Sequence, residues 1–192
     1  MYLGRNTVHF AILFACAVFW ACGGGKSNTT AFDKLPELRT APILNGTNYD
    51  GSSFTSASLA GKIWIADFIF TTCAEICPKM NGNTAQLVRE TQGKIPIVST
   101  TVDPEYDSLS VLREYAGKYA GSDSTWRFIT MPLDSVREVT VKGFGVGNYE
   151  NPLEHSTRLI LIDGNGKVRG YFDGTDSAEV KKLTAILQEV LP

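Results

Sequence analysis

The chain has 192 residues, a net charge of −2 and 43% apolar residues, with 18 Lys and Arg against 20 Asp and Glu. That length allows one domain plus extra elements. No basic run is present, which excludes nucleic acid as a partner, because that affinity rests on clustered Lys and Arg.

Arg5 precedes an apolar run from Val8 to Ala21 that only His9 interrupts. It has the length of a signal-peptide core and is short for a bilayer span. It ends Phe19-Trp20-Ala21-Cys22, followed by Gly23-Gly24-Gly25-Lys26-Ser27. A small residue before a Cys and a Gly/Ser-rich polar stretch resembles a bacterial lipoprotein signal. That likeness implies residues 1–21 as the signal peptide, Cys22 as the lipidated first residue of the mature chain, and loss of Cys16. An uncleaved N-terminal anchor is the alternative. Under both, a domain is exported and held at a membrane, with the periplasm as its compartment. Residues 22–40 then read as a flexible tether and 41–192 as the domain.

From Ala41 to Thr55, Asn45-Gly46 and Asp50-Gly51 mark an extended or hairpin lead-in. Lys62 to Phe70, an apolar run with β-branched and aromatic residues, reads as a buried strand. After Thr71-Thr72-Cys73-Ala74-Glu75-Ile76-Cys77, Pro78 opens a predicted helix to Thr91, with Met80, Leu87 and Val88 facing inward. Ile95 to Val102 is a second strand and ends at Asp103-Pro104. Ser108 to Tyr119 has helical spacing, Trp126 to Ile129 is a third strand, and Pro132 opens a helix to Lys142. The Gly-rich stretch from Gly143 to Glu154 lacks the Lys-Ser/Thr ending of a phosphate loop. Arg158 to Asp163 and Lys167 to Phe172 form a hairpin around Gly164-Asn165-Gly166, and a helix runs from Ser177 to Val190 with Asp176 and Glu179 at capping-box spacing. A strand–helix–strand opening requires a parallel pair and a closing hairpin adds antiparallel strands. The result is an α/β domain with a mixed sheet flanked by helices.

Only Cys73 and Cys77 remain in that domain once Cys16 and Cys22 are assigned to targeting. They sit where a strand hands over to a helix N-terminus, whose unpaired N–H groups and dipole favour thiolate. In an oxidising compartment such a pair is a disulfide, a metal site, or both in alternation. A purely structural disulfide gains little here, since the stabilisation grows with loop length. Thiolates select Cu(I) and imidazole suits copper in either state. A metal carrier needs a site open on one side for ligand exchange, whereas structural zinc takes four protein ligands, and a lone His is by itself an ordinary loop residue. His155 is the only His beyond residue 9. Met80 and Met131 read as packing residues, not thioether ligands.

Phe70-Thr71-Thr72-Cys73 through Cys77-Pro78, then Val102-Asp103-Pro104, then Glu154-His155-Ser156 ahead of a strand ending Ile162-Asp163 resemble the motifs of the Sco/SenC family. The likeness covers the chain from about Ala41 onward. Ala74 and Glu75 depart from the residues often found between the family's cysteines, at positions that supply no ligand. The resemblance implies a thioredoxin-like fold with an N-terminal extension. It implies one copper, Cu(I) or Cu(II), held by Cys73, Cys77 and His155, with Asp103 nearby in support. It implies delivery from an upstream copper donor to the dinuclear copper centre of cytochrome c oxidase subunit II. The alternative is an enzymatic role, thiol–disulfide exchange through a redox-active Cys73–Cys77 disulfide on that or another exported protein. A sensing module without a delivery partner is a third reading.

Overall fold

The computed structural model describes residues 1, 30–120 and 125–191; the signal peptide, Cys16 and the lipidation site Cys22 lie outside the described residues. Eight strands form one sheet: β1 (Arg39–Thr40), β2 (Asn45–Asn48), β3 (Ser53–Thr55), β4 (Trp64–Ile69), β5 (Ile97–Thr101), β6 (Trp126–Thr130), β7 (Arg158–Ile162) and β8 (Lys167–Asp173), in the order β1-β8-β7-β4-β5-β6-β2-β3. Strands β4, β5 and β6 are parallel, with Ile65 beside Ile97 and Ile69 beside Thr101, and every other pairing is antiparallel. The helices are α1 (Ile76–Glu90), α2 (Leu109–Tyr119), α3 (Leu133–Arg137) and α4 (Ser177–Gln188).

The central strand explains the architecture. All six residues of β4 are buried, so the sheet must be covered on both faces, as parallel strands require. Ile65 and Ile69 pack with Leu87 of α1, Leu112 of α2 and Leu183 of α4. The alternate residues Trp64, Ala66 and Phe68 pack on the other face with Leu44, Val136 and Phe144. The mixed, helix-flanked sheet expected from the element order is thus present. The parallel pairing of β4 with β5 and the antiparallel pairing of β4 with β7 send the loops after β4 and β5 and the approach to β7 to one end of the sheet's strands, the edge that holds the cysteine turn.

Four local features depart from the sequence reading. Helix α1 starts at Ile76, two residues before Pro78, because Pro is tolerated anywhere in the first turn, where N–H groups lack helical partners. The helix opened at Pro132 keeps α-geometry only to Arg137 and continues as a π-helix over Glu138–Phe144. Thr140 is its hub: its hydroxyl donates to the carbonyl of Val136 (2.8 Å), and its own carbonyl accepts from Val146 and Gly147. A Cβ at Gly147 would stand 2.5 Å from Thr140 Oγ1, so glycine is required for this close turn. At α4, Asp176 accepts from the Ala178 N–H, but Glu179 reaches back to the N–H of Asp173 (2.7 Å), so the capping box does not close.

The fourth departure corrects the extent of the tether. Residues 30–40 pack on the domain. Phe32 is buried, and Arg169 of β8 lies over its ring at 5.1 Å, donates to the carbonyls of Leu35 (2.6 Å) and Pro36 (3.2 Å), and pairs with Asp163 at 3.0 Å. Strand β1 then adds to the sheet edge beside β8. Arg169→Ala is expected to free this segment. It should cost about 2–3 kcal/mol, below the 3–5 typical of a wholly buried pair because Arg169 keeps an edge in water. Protease cleavage between residues 30 and 40, in the folded variant and not in the native chain, would show it.

Candidate metal and redox site

Strand β4 ends at Ile69, and the turn through Thr71 delivers Cys73 three residues ahead of α1 while Cys77 enters its first turn. The N-cap residue Glu75 makes no side-chain capping bond. Cys73 Sγ takes that role and accepts the N–H of Cys77 at 3.2 Å. A sulfur anion gains most from such a bond, since it faces the positive end of the helix dipole. Burial pushes the Cys73 thiol up, but the N–H groups of Cys77, Glu75 and Ile76 outweigh it and hold it below its ordinary value. Cys77 goes the other way: it is buried, and burial pushes its thiol up to about 12. The expectation that the helix start favours thiolate therefore holds for Cys73 and is reversed for Cys77, whose side chain is buried in the core. The two sulfurs are not bridged.

The loop is held by a carboxylate the sequence reading passed over. Asp107 is wholly buried and accepts from the Thr71 N–H (3.1 Å) and from the hydroxyls of Thr71 and of Thr101 at the end of β5. It ties the cysteine turn to the neighbouring strand. Asp103 contributes its backbone: its N–H donates to Thr101 Oγ1 (3.0 Å) and its carbonyl accepts from Tyr106 and Asp107. Among the described residues, the Asp103 side chain makes no hydrogen bond to the cysteine turn. The bonds from a carboxylate to the cysteine turn come from Asp107, four residues on from Asp103 in the same turn. Asp107→Asn exchanges an acceptor-only group for an amide that cannot serve all three donors, and is expected to cost about 2 kcal/mol. Faster hydrogen exchange at the Thr71 amide, with the rest of the sheet unchanged, would locate the loss.

His155 sits on the loop before β7, at the same sheet edge. Its ring meets Phe70 edge-on, with centroids 5.9 Å apart. Its Nδ1 lies 3.1 Å from the carbonyl of Ser156, which can only accept, so Nδ1 carries the proton and Nε2 keeps a free lone pair. Burial lowers its pKa, leaving the imidazole neutral at pH 7. The structure thus brings the two thiols together and places His155 beside Phe70, three residues before Cys73. Among the described residues no three of His, Cys, Asp and Glu stand close enough together to hold a metal as they are. The donor set nevertheless suits soft copper: one sulfur disposed to ionise, a second a turn away, and a neutral imidazole with its outer nitrogen open.

Asp67 also went unread. It points from β4 into the layer shared with Cys77, Asn81 and Tyr115, is wholly buried, and neither oxygen has a hydrogen-bond partner among the described residues. Ser99, its neighbour in register, accepts from Trp126 Nε1 (2.9 Å) and makes no hydrogen bond to the acid, so burial pushes the Asp67 carboxyl up to about 7. An acid inside an otherwise apolar strand was the available signal.

A profile of the SCO1/SenC family matches residues 39–191. The chain belongs to the SCO1/SenC family. It is 30% identical over 179 residues to the SCO1 protein homolog of Bacillus subtilis (strain 168), covering 89% of this chain and 88% of that one. The crystal structure of a SCO1/SenC family lipoprotein from Bacillus anthracis superposes with a TM-score of 0.73 at 30% identity, over 83% of this chain and 98% of that one. BsSco, described as a member of the Sco family of cytochrome c oxidase assembly proteins with a disulfide switch, superposes with a TM-score of 0.66 at 25% identity, over 81% and 98%. The thioredoxin-like α/β fold read from the sequence is the fold of these SCO1/SenC structures. No helix among the described residues is long and apolar enough to cross a membrane.

Proposed function

We propose that this chain is a lipid-anchored copper carrier of the exported space that supplies the dinuclear copper centre of cytochrome c oxidase subunit II, with Cys73, Cys77 and His155 as its ligands. The observation that carries the reading is the sulfur of Cys73, set on the N-terminus of α1 with an unbridged Cys77 a turn away. The membership in the SCO1/SenC family and the description of BsSco as an oxidase assembly protein support the assignment. The ligands of such a carrier should be unequal. Cys73 ionises readily and captures copper from a donor, Cys77 gives up its proton only as metal arrives, and His155 completes the set by crossing the edge of Phe70. A cargo site that closes on loading and reopens by one imidazole can hand copper to a partner by ligand exchange. Cys22, as the lipidated residue, holds the domain at the membrane where the oxidase resides.

The split between the two thiols also favours a second reading, thiol–disulfide exchange. A readily ionised, partly exposed Cys73 suits the attacking sulfur and a buried Cys77 the resolving one. A copper titration of the fully reduced chain without oxygen, against a strong competing chelator, separates them. One copper retained per chain is the expected result. Complete loss of copper to the chelator overturns the carrier reading and leaves exchange as the function.

A further inference from the structure

The surface around the candidate site has a composition of its own. Three loops meet at this sheet edge: the turn after β4, the turn after β5 and the approach to β7. Ile76 between the cysteines is 53% exposed, Tyr106 is 60%, Tyr149 is 50% and Leu153, two residues before His155, is 43%. Beyond residue 1, the only other large apolar side chains so exposed among the described residues are Leu38 and Ile43, which precede β1 and β2. The same loops carry Glu75, Glu105, Glu150 and Glu154, all exposed, against Lys79 and two arginines at the margin of the last loop. Arg39 lies against Gly145 and bonds the Gly143 carbonyl, and Arg158 pairs with Glu179 at 3.8 Å, so that carboxylates outnumber the cations left unpaired. The carboxylate of Glu154 is fixed by the amides of Asn148 and Asn151, each at 3.0 Å, so the charge is built into the loop.

Resting on the function proposed above, we infer that this edge is a docking face for a protein whose own acceptor thiols are ringed by Lys and Arg. Exposed Tyr, Ile and Leu side chains around a reactive centre are what the middle of a protein interface uses, and a charged rim sets partner choice and encounter rate. The sign of the rim decides among occupants. A second copy would set carboxylates against carboxylates, and an anionic bilayer surface would repel the same groups. A cationic protein face satisfies both the apolar centre and the rim. The acids stand beside the thiols without being ligands, so they select the partner and leave the metal chemistry to Cys73, Cys77 and His155.

The test uses the reduced full chain in a neutral detergent and two synthetic peptides, each closed by one disulfide, identical except that one carries Lys and the other Glu around its cysteines. The Cys73 thiolate attacks one peptide sulfur and the other leaves as a thiolate. Cys77 then displaces the peptide, so that two electrons and the two thiol protons pass to the peptide and a Cys73–Cys77 disulfide remains. At low salt the Lys peptide is expected to react at least about tenfold faster, and at high salt that advantage should vanish. Glu105→Gln with Glu150→Gln should shrink the ratio, while Tyr106→Ser with Leu153→Ser should slow both peptides and leave the ratio intact. Equal rates at low salt, a ratio unmoved by the Gln pair, or no slowing in the Ser pair overturns the inference. So does self-association of the reduced chain, or stronger retention on anionic than on neutral lipid vesicles, which would assign the face to those occupants. No metal enters the measurement. A chain that fails the copper titration but keeps the ratio retains the docking face, and one that binds copper with a ratio of one loses it.

Discussion

His155→Ala is expected to lose tight copper binding and keep its dithiol chemistry. An outer-shell partner of a ligand costs about 10–100-fold in metal affinity when removed; loss of a ligand itself should exceed that, so that a strong chelator strips the variant and not the native chain. Oxidation and reduction of Cys73 and Cys77 should be untouched, because the imidazole meets Phe70 and hydrogen-bonds Ser156, and makes no bond to either sulfur. The pH dependence provides an internal check. His155 is already neutral at pH 7, held there by burial, so it contributes no proton to copper uptake in that range. Cys77, pushed up to about 12, must release one, and copper affinity of the native chain should rise by at least about tenfold per pH unit through the neutral range. Wild-type affinity in the variant would remove His155 from the ligand set. Loss of dithiol cycling along with copper would mean that the substitution had disturbed the loop and not merely a donor atom.

The same residue leaves a mark on stability. With its folded-state pKa below the ordinary His value, the unfolded chain binds the proton more readily. Stability is therefore full above about pH 6.5 and falls as pH drops from there toward the depressed value. His155→Ala should flatten the stability profile over that acid window.

How much of this was legible in the sequence follows from how local each signal is. Strand β4 announced itself because its six residues are buried on both faces and so read as one apolar run. The β7–β8 hairpin and the cysteine spacing were visible for the same reason, each being contained within a short stretch. What escaped notice depends on partners far along the chain. Phe32 lies in a polar stretch that composition marks as tether, and only Arg169, 137 residues away, gives it a place to dock. Asp107 looks like any turn residue until Thr71, 36 residues earlier, is seen to bond to it. The π-helix after Arg137 is set by contacts of Thr140 with a glycine in the next loop. Helix position alone made Cys73 and Cys77 look alike; burial separates them, and burial is a tertiary property.

Replacing Asp67 by Asn should remove a pH-dependent stability loss that the native chain carries. The Asp67 carboxyl is pushed from an ordinary 3.8 up to about 7 by burial. Between those values the folded chain keeps a proton that the unfolded chain has released, so raising the pH favours unfolding. The stability associated with this group is complete at acid pH and is lost as pH rises through about 7. Its ceiling is on the order of 4 kcal/mol, at about 1.4 kcal/mol for each tenfold in the proton equilibrium. Asn has the same shape and no charge, so the native chain should fall behind Asp67→Asn progressively from about pH 4 to about pH 7 in denaturant midpoint, and the gap should level off above that. His155 titrates in the opposite sense over part of that range but is common to both proteins and cancels in the difference. Cys77 and Tyr115, both raised in part by the charge of Asp67, titrate above it. Parallel profiles for the two proteins would mean that Asp67 does not change charge in that interval. A widening gap would mean that the acid beneath Cys77 stays protonated under mildly acid conditions, where the fold is spared a bare carboxylate with no hydrogen-bond partner.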